Sequence, residues 1–311
     1  MRKDSYIGAV IQAGSVGFNT SKTLEKMEDL ASEAAKTGAE IAVFPEAFIG
    51  GYPKGISFGA TVGNRTHEGR DEFAEYFGGS IEIPGPEFEK IARAARINRL
   101  FMVIGVIERE LGTLYCTVLF FNKNGDYLGK HRKLMPTASE RTIWGFGDGS
   151  TLPVYKTEFG NIGSVICWEN YMPMLRMAMY SKGIEIYCAP TADGRKTWLP
   201  TVQMIGLEGR CFVLSCNQFL QRKVLPDWFK FEPGINPDSI LMNGGSCIIS
   251  PLGEVLAGPI FNKEIILTAE INASLIMKGK YDFDVAGHYS RPDVFKLQID
   301  ESRKRSTETK K

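Results

Sequence analysis

Two hydrophobic periods alternate along this chain. Short β-branched runs of strand type give way to stretches with apolar residues every three or four positions, and the exchange repeats almost to the end. Tyr6 to Ala13 reads as a strand. Asn19 or Thr20 is placed to cap a helix whose inner stripe is Leu24, Met27, Ala31 and Ala34, and Gly38 is a stop signal. Glu40 to Phe44 forms the next strand and runs into Pro45-Glu46. Gly50 to Gly79, rich in Gly and charge without a clear period, reads as a long functional loop or a partly helical excursion. Pro86 to Ile97 predicts a helix with proline in its first turn, and Leu100 to Ile107 a buried strand. Tyr115 to Phe121 and Tyr127 to His131 form a hairpin around Asn124-Gly125.

The second half repeats the alternation. Ile162 to Cys167 predicts a strand, Met172 to Ser181 a helix ending at Gly183, and Ile184 to Ala189 a strand. Thr201 to Gly209 reads as helix. Cys211 to Ser215, Ser246 to Ser250 and Ile265 to Ala269 read as strands, with a turn at Pro251-Leu252-Gly253 and a proline-bearing loop from Val224 to Asp238. No Gly/Ser-rich or Pro-rich linker interrupts the sequence. Although 311 residues would permit two domains, the pattern favours one large α/β domain, residues 1–300, followed by a polar basic tail, 301–311.

Composition narrows the function classes. The chain carries 37 basic and 36 acidic residues for a net charge of +1, so it has no electrostatic footprint for nucleic acid. No apolar stretch approaches the roughly 18 residues of a membrane span, and Met1 to Ile7 passes into a strand-like run without a secretory apolar segment. The six cysteines show no Cys-x-x-Cys pairing and lie mostly in apolar strands. Reduced thiols and a cytoplasmic location are expected. With His67, His131 and His288 far apart, a His-rich metal site is not expected, and neither a metal nor an organic cofactor is called for.

Three residues stand where chemistry is commonly placed in α/β sheets, just beyond a strand. Cys167 ends the run Val165-Ile166-Cys167-Trp168-Glu169-Asn170, where a turn can offer free N–H groups to developing negative charge. Glu46, directly after an apolar strand, is partly desolvated and so tuned toward a general base. Lys133 lies in Lys130-His131-Arg132-Lys133-Leu134-Met135-Pro136; one inward ammonium there would hold a carboxylate and stabilise anionic substrate.

The segments Phe44-Pro45-Glu46, His131-Arg132-Lys133-Leu134 and Cys167-Trp168-Glu169 resemble, in order and spacing, the Glu–Lys–Cys constellation of the nitrilase superfamily of carbon–nitrogen hydrolases. Phe44 to Pro53, Lys133 to Trp144, Ala189 to Asp193 and Gly287 to Asp293 are also similar to nitrilase segments, and the resemblance covers Tyr6 to about Leu297. It implies a four-layer α-β-β-α sandwich. It further implies a catalytic set of Glu46, Lys133 and Cys167 with Glu140 as a second glutamate; the Lys133 charge is expected to favour the Cys167 thiolate, with Glu46 taking its proton. Trp168-Glu169 points to the true nitrilase branch, which converts an organic nitrile to a carboxylic acid and ammonia through a cysteine thioimidate and thioester. Amide hydrolysis or nitrile hydration are the alternatives within the superfamily, and an inactive filament-forming scaffold is the alternative outside catalysis. Tyr52, Trp168 and Asp193, with Arg195 nearby, are expected to line the substrate pocket, and His288 to sit in an ordered supporting loop. Self-association as a dimer or a larger spiral is implied; a membrane or nucleic-acid partner is not.

Overall fold

The first apolar run becomes β1 (Ser5–Gln12), an interior strand of one of two stacked sheets. The computed structural model describes residues 2–229, 231 and 234–304. Asn19 accepts a hydrogen bond from the Lys22 N–H and so caps α1 (Thr20–Lys36), whose buried stripe includes the expected Leu24, Met27, Ala31 and Ala34. β2 (Ala39–Val43) follows, then a small hairpin of β3 (Ala60–Thr61) and β4 (Asn64–Arg65). The stretch read as a loop or partly helical excursion also holds a true helix, α2 (His67–Gly78), capped by Thr66. Its apolar positions are few because only Gly69, Glu72 and Tyr76 are buried, which weakens the period a sequence can display.

α3 (Pro86–Asn98) precedes the long antiparallel ribbon of β5 (Phe101–Glu110), β6 (Thr113–Phe121) and β7 (Tyr127–Arg132). At the β6–β7 turn Gly125 has φ +81°, and a Cβ there would meet Ala92 O at 2.5 Å. The first sheet therefore runs β15 (Ile265–Asn272), β1, β2, β5, β6, β7, with β1, β2 and β5 parallel. α1 and α3 cover its outer face.

The second sheet is built from β8 (Val154–Thr157), β9 (Gly160–Ser164), β10 (Ile186–Thr191), β11 (Phe212–Asn217), β12 (Phe219–Gln221), β13 (Ile240–Ile249) and β14 (Val255–Phe261). Its order is β12-β13-β11-β10-β9-β8, with β14 paired to β13 and β9, β10 and β11 parallel. α4 (Pro173–Ser181) and α5 (Trp198–Gly209) pack on its outside. β15 (Ile265–Asn272) returns to pair with β1, and α6 (Ser274–Asp282) closes the regular structure. The product is the four-layer α-β-β-α sandwich, with the main apolar core between the sheets. β8, β12, β14 and α6 are additions to the sequence reading; the three strands are short or half-exposed and carry no clean alternation.

One boundary matters for function. The strand expected to reach Cys167 stops at Ser164. Val165 still bonds to Cys188 O at 3.1 Å, and the backbone then reverses at Cys167 (φ +50°) into a 3₁₀ turn, Cys167–Tyr171. Of the expected tail, residues 305–311 lie outside the described residues. Lys304 N–H donates to Asp148 at 2.8 Å, which ties the described part to the domain. Among the described residues no helix is long and apolar enough to cross a membrane.

Candidate active site

Lys130-His131-Arg132-Lys133 looks uniformly wet in sequence, but a strand turns alternate side chains to opposite faces. On β7 and its extension Lys130 and Arg132 face outward and both pair with Glu108. His131 and Lys133 face inward and are buried, Lys133 with 1% of its surface exposed. The Lys133 ammonium bonds to Glu46 Oε1 and to Glu140 Oε2, each at 2.7 Å, and lies 5.7 Å from the centre of the Trp144 ring. A buried ammonium between two carboxylates is a coherent charge cluster: removing the ammonium, which would leave two buried carboxylates uncompensated, typically costs about 3–5 kcal/mol.

Glu46 is held by a tight turn after β2. Phe44 N–H bonds to Val103 O, Ile49 N–H to Gly105 O, and Gln218 donates to Glu46 O at 2.9 Å. Gly105 is required beneath this turn, because a Cβ would stand 2.2 Å from Pro45 O and 2.8 Å from Glu46 Cα. Gly105→Ala is therefore expected to cost about 1–3 kcal/mol by overpacking and to displace Glu46. Denaturant melts and rates on the same variant check this; unchanged values in both would contradict the tight fit.

Glu140 is fixed from three sides. Oε2 takes the Thr137 N–H at 2.6 Å besides Lys133, and Oε1 takes the Tyr52 hydroxyl at 2.6 Å. Cys167 is 4% exposed, and Thr191, at the end of β10, donates its hydroxyl to Sγ at 3.2 Å. Ala47, Ala138 and Cys167 all have left-handed backbone, with φ of 50°, 48° and 50°. Strain of this kind clusters where a fold over-determines functional side chains.

The electrostatics correct one expectation. Burial, and then the Glu46 charge, push the Cys167 thiol well above its ordinary pKa; the Lys133 ammonium lowers it but does not prevail. Lys133 therefore does not by itself hold a standing thiolate. Glu46 is also raised: burial lifts it, Lys133 pulls it down, and the Glu140 charge lifts it again. Lys133 stays protonated, because the surrounding carboxylates outweigh its loss of water.

Glu140 and Cys167 open on a cavity of about 570 Å³ that is also lined by Tyr52, Trp168, Asp193 and Met242. The three expected pocket residues thus share one cavity with two of the four expected catalytic ones, and Lys133 joins Glu46 to them. Asp193 lines the cavity with its carboxylate already engaged. It accepts from the Trp168 indole at 2.9 Å and from Arg195 at 2.6 and 2.8 Å, and the Arg195 guanidinium lies 4.6 Å from the Trp168 ring centre. Burial raises the Asp193 pKa, but the Arg195 bonds outweigh this and hold it below the usual range. His288 is exposed and does not line this cavity. Among the described residues no group of three or more His, Cys, Asp or Glu is placed to hold a metal ion.

Residues 9–281 match the family model described as carbon–nitrogen hydrolase. The chain belongs to the carbon–nitrogen hydrolase family. Within it, the chain falls in the nitrilase branch. It is 58% identical over 308 residues to a nitrilase of Bradyrhizobium diazoefficiens, covering 99% of this chain and 96% of the relative. It is 55% identical over 302 residues to an aliphatic nitrilase of Sinorhizobium fredii, with 97% and 98% covered. A bifunctional nitrilase/nitrile hydratase of Nicotiana tabacum is 56% identical over 294 residues, with 93% and 84% covered. The fold is that of the C. elegans NitFhit protein (TM-score 0.73, 18% identity, 98% of this chain and 70% of that one). It is likewise that of Nit3 of Saccharomyces cerevisiae, described as a member of branch 10 of the nitrilase superfamily (TM-score 0.69, 18% identity, 93% and 97%).

In this carbon–nitrogen hydrolase several site neighbours escaped the sequence reading. Cys116 donates its thiol to Glu46 Oε1 at 3.6 Å, and Thr191 and Gln218 hold Cys167 and the Glu46 turn. Cys116 and Gln218 are neutral residues inside an apolar strand or at its end, with no local signal to separate them from core; Thr191 sat in the Ala189 to Asp193 segment already singled out, without a role. His131 and Glu169 sat inside motifs already singled out, yet nothing in sequence pairs them.

Proposed function

We propose that this protein is a nitrilase that converts an organic nitrile and two waters to a carboxylic acid and ammonia. The observation that carries the reading is the buried Lys133 bridging Glu46 and Glu140 beside a cysteine that opens on the same cavity. The names of the relatives support it. Because the thiol is held protonated, its deprotonation accompanies attack: Cys167 Sγ adds to the nitrile carbon as Glu46 takes the thiol proton and passes it to nitrogen, giving a thioimidate. Water, deprotonated by Glu46, adds to the carbon, the protonated nitrogen leaves as ammonia, and a thioester remains. A second water releases the acid and returns a proton to the thiol. Lys133 and the N–H of Trp168, at the head of the 3₁₀ turn where such groups lack a partner within the turn, stabilise the tetrahedral species. Tyr52 orients Glu140 and, with Trp168 and Asp193, shapes the pocket.

A second outcome, release of the amide, is favoured by the bifunctional name of the tobacco relative. The discriminating experiment follows one nitrile to completion. Equal acid and ammonia support the reading, and amide as the sole product overturns it in favour of hydration. Turnover of amides with no turnover of nitriles makes the protein an amide hydrolase.

The raised Glu46 pKa fixes the sign of the acid limb. The base form is lost as pH falls through a value above the ordinary 4.5, so kcat/KM declines before that pH is reached. A profile flat down to 4.5 would contradict the assignment of Glu46 as base.

The hydrolase domain is assigned to residues 1–300 and the tail to 301–311. The protein self-associates, as a dimer or a larger spiral; exposed Met174, Met204 and Leu207 on α4 and α5 support this. Sedimentation as a monomer at micromolar concentration would refute it. A cytoplasmic location is supported by six free cysteines.

A further inference from the structure

Lys133 and Cys167 hang from different sheets, Lys133 beyond β7 of the first and Cys167 beyond β9 of the second. Their separation is therefore an inter-sheet distance, and apolar packing between sheets has no preferred direction. A buried polar cluster joins the segments that carry Lys133 and Cys167. The Glu169 carboxylate, 1% exposed, accepts from Ile166 N–H at 2.9 Å and faces His131 Nε2 at 3.0 Å through Oε2. Its Oε1 accepts from Leu134 N–H at 2.6 Å. Ile166 immediately precedes Cys167, Leu134 immediately follows Lys133, and His131 stands two residues before it.

The contacts of His131 call for a donor at each ring nitrogen when its partner is a carboxylate. Nδ1 lies 2.6 Å from Thr151 O, a carbonyl that only accepts, and Nε2 faces a carboxylate that already accepts a backbone N–H. With Glu169 as a carboxylate both ring nitrogens donate, which makes the fully buried ring an imidazolium paired with Glu169. Neither residue lines the substrate cavity.

We propose that the His131–Glu169 ion pair is a positioning device that sets the placement of the nucleophile elbow relative to Lys133 across the two sheets. The proposal rests on the roles given above to Cys167 and Lys133. Glu169 and His131 are positioning residues and touch no substrate. A carboxylate is required at 169. In an amide of the same shape one arm is an NH₂ donor. That arm faces either Leu134 N–H or the pair Ile166 N–H and His131, so a donor meets a donor whichever way it turns.

The test compares Glu169→Gln, His131→Gln and the double variant with Cys167→Ala, on a nitrile that the wild type turns over. Glu169→Gln is expected to lower kcat by about 100-fold, the scale of a small misplacement of reacting groups, with KM changed less than about threefold. The double variant is expected to lose no more than the worse single one, because the two act as a unit. A folded Glu169→Gln with kcat within about threefold of wild type, beside an inactive Cys167→Ala, overturns the positioning role and leaves the site reading intact. Full turnover by Cys167→Ala overturns the site reading itself. A third measurement needs no variant. His67 and His288 are exposed, so ¹⁵N imidazole spectra of the wild type separate them from His131. Both His131 nitrogens protonated at pH 7 supports the pair, and a neutral ring there overturns it whether or not the variants fold.

Discussion

Replacing Cys167 by alanine is expected to abolish nitrile turnover while leaving the fold intact. The loss should be on the order of 10⁴-fold or more, the scale seen when a covalent nucleophile is removed and only binding and electrostatic groups remain. No other thiol can substitute. Cys116 is the one that reaches the cluster, and it touches Glu46 from within β6, with burial, and then the Glu46 charge, pushing its pKa far up. Structural cost is small, because alanine keeps the Cβ of a buried site and gives up only weak thiol hydrogen bonds, among them the one accepted from Thr191. Steady-state ammonia release and a thermal melt on one preparation check both halves. An inactive variant that is also unfolded would not count in favour.

Glu46→Gln should be the second large effect, a fall in kcat of roughly 10²–10⁴-fold, as for a lost general base. Its sign on stability is less obvious. Glu46 is a fully buried carboxylate with a raised pKa, and among the described residues its Oε2 has no hydrogen-bond partner. Neutralising it leaves Lys133 with Glu140, a buried pair that balances by itself. A glutamine can still accept from Lys133 through its oxygen, so the melting temperature should stay level or rise. Activity lost together with several degrees of stability would point instead to Glu46 as part of the scaffold. The expected opposition of activity and stability is what distinguishes a group placed for chemistry from one placed for folding.

Much of this site was legible in the sequence because strand ends leave a mark. Glu46 and Cys167 each follow an apolar β-branched run, and Lys133 follows a hairpin whose Asn124-Gly125 turn fixes its register. Register then decides everything about the basic run. Once β7 is aligned with β6, Lys133 and His131 must point inward and Lys130 and Arg132 outward. What could not be read was which side chains meet across the sheets. Glu169 is thirty-eight residues from His131, and nothing in its own segment says that its carboxylate will hold both the residue before the nucleophile and the residue after the lysine. The Cys167 environment was misjudged for a related reason. A lysine in sequence announces a charge, whereas the depth of burial that outweighs it is a property of the finished sandwich. α2 was read only as one alternative, a partly helical excursion without bounds, because only three of its positions are buried.

In the proposed reaction the nitrile carbon becomes bonded to Cys167 Sγ during turnover. Rapid acid quench of the wild-type enzyme with saturating nitrile, followed by intact-mass and peptide mass spectrometry, tests it most directly. The account predicts an adduct of the substrate's acyl or imidoyl group on the peptide that contains Cys167, appearing within the first turnover and disappearing when substrate is exhausted. Turnover to acid and ammonia with no adduct at Cys167, or with the adduct on another residue, would contradict it.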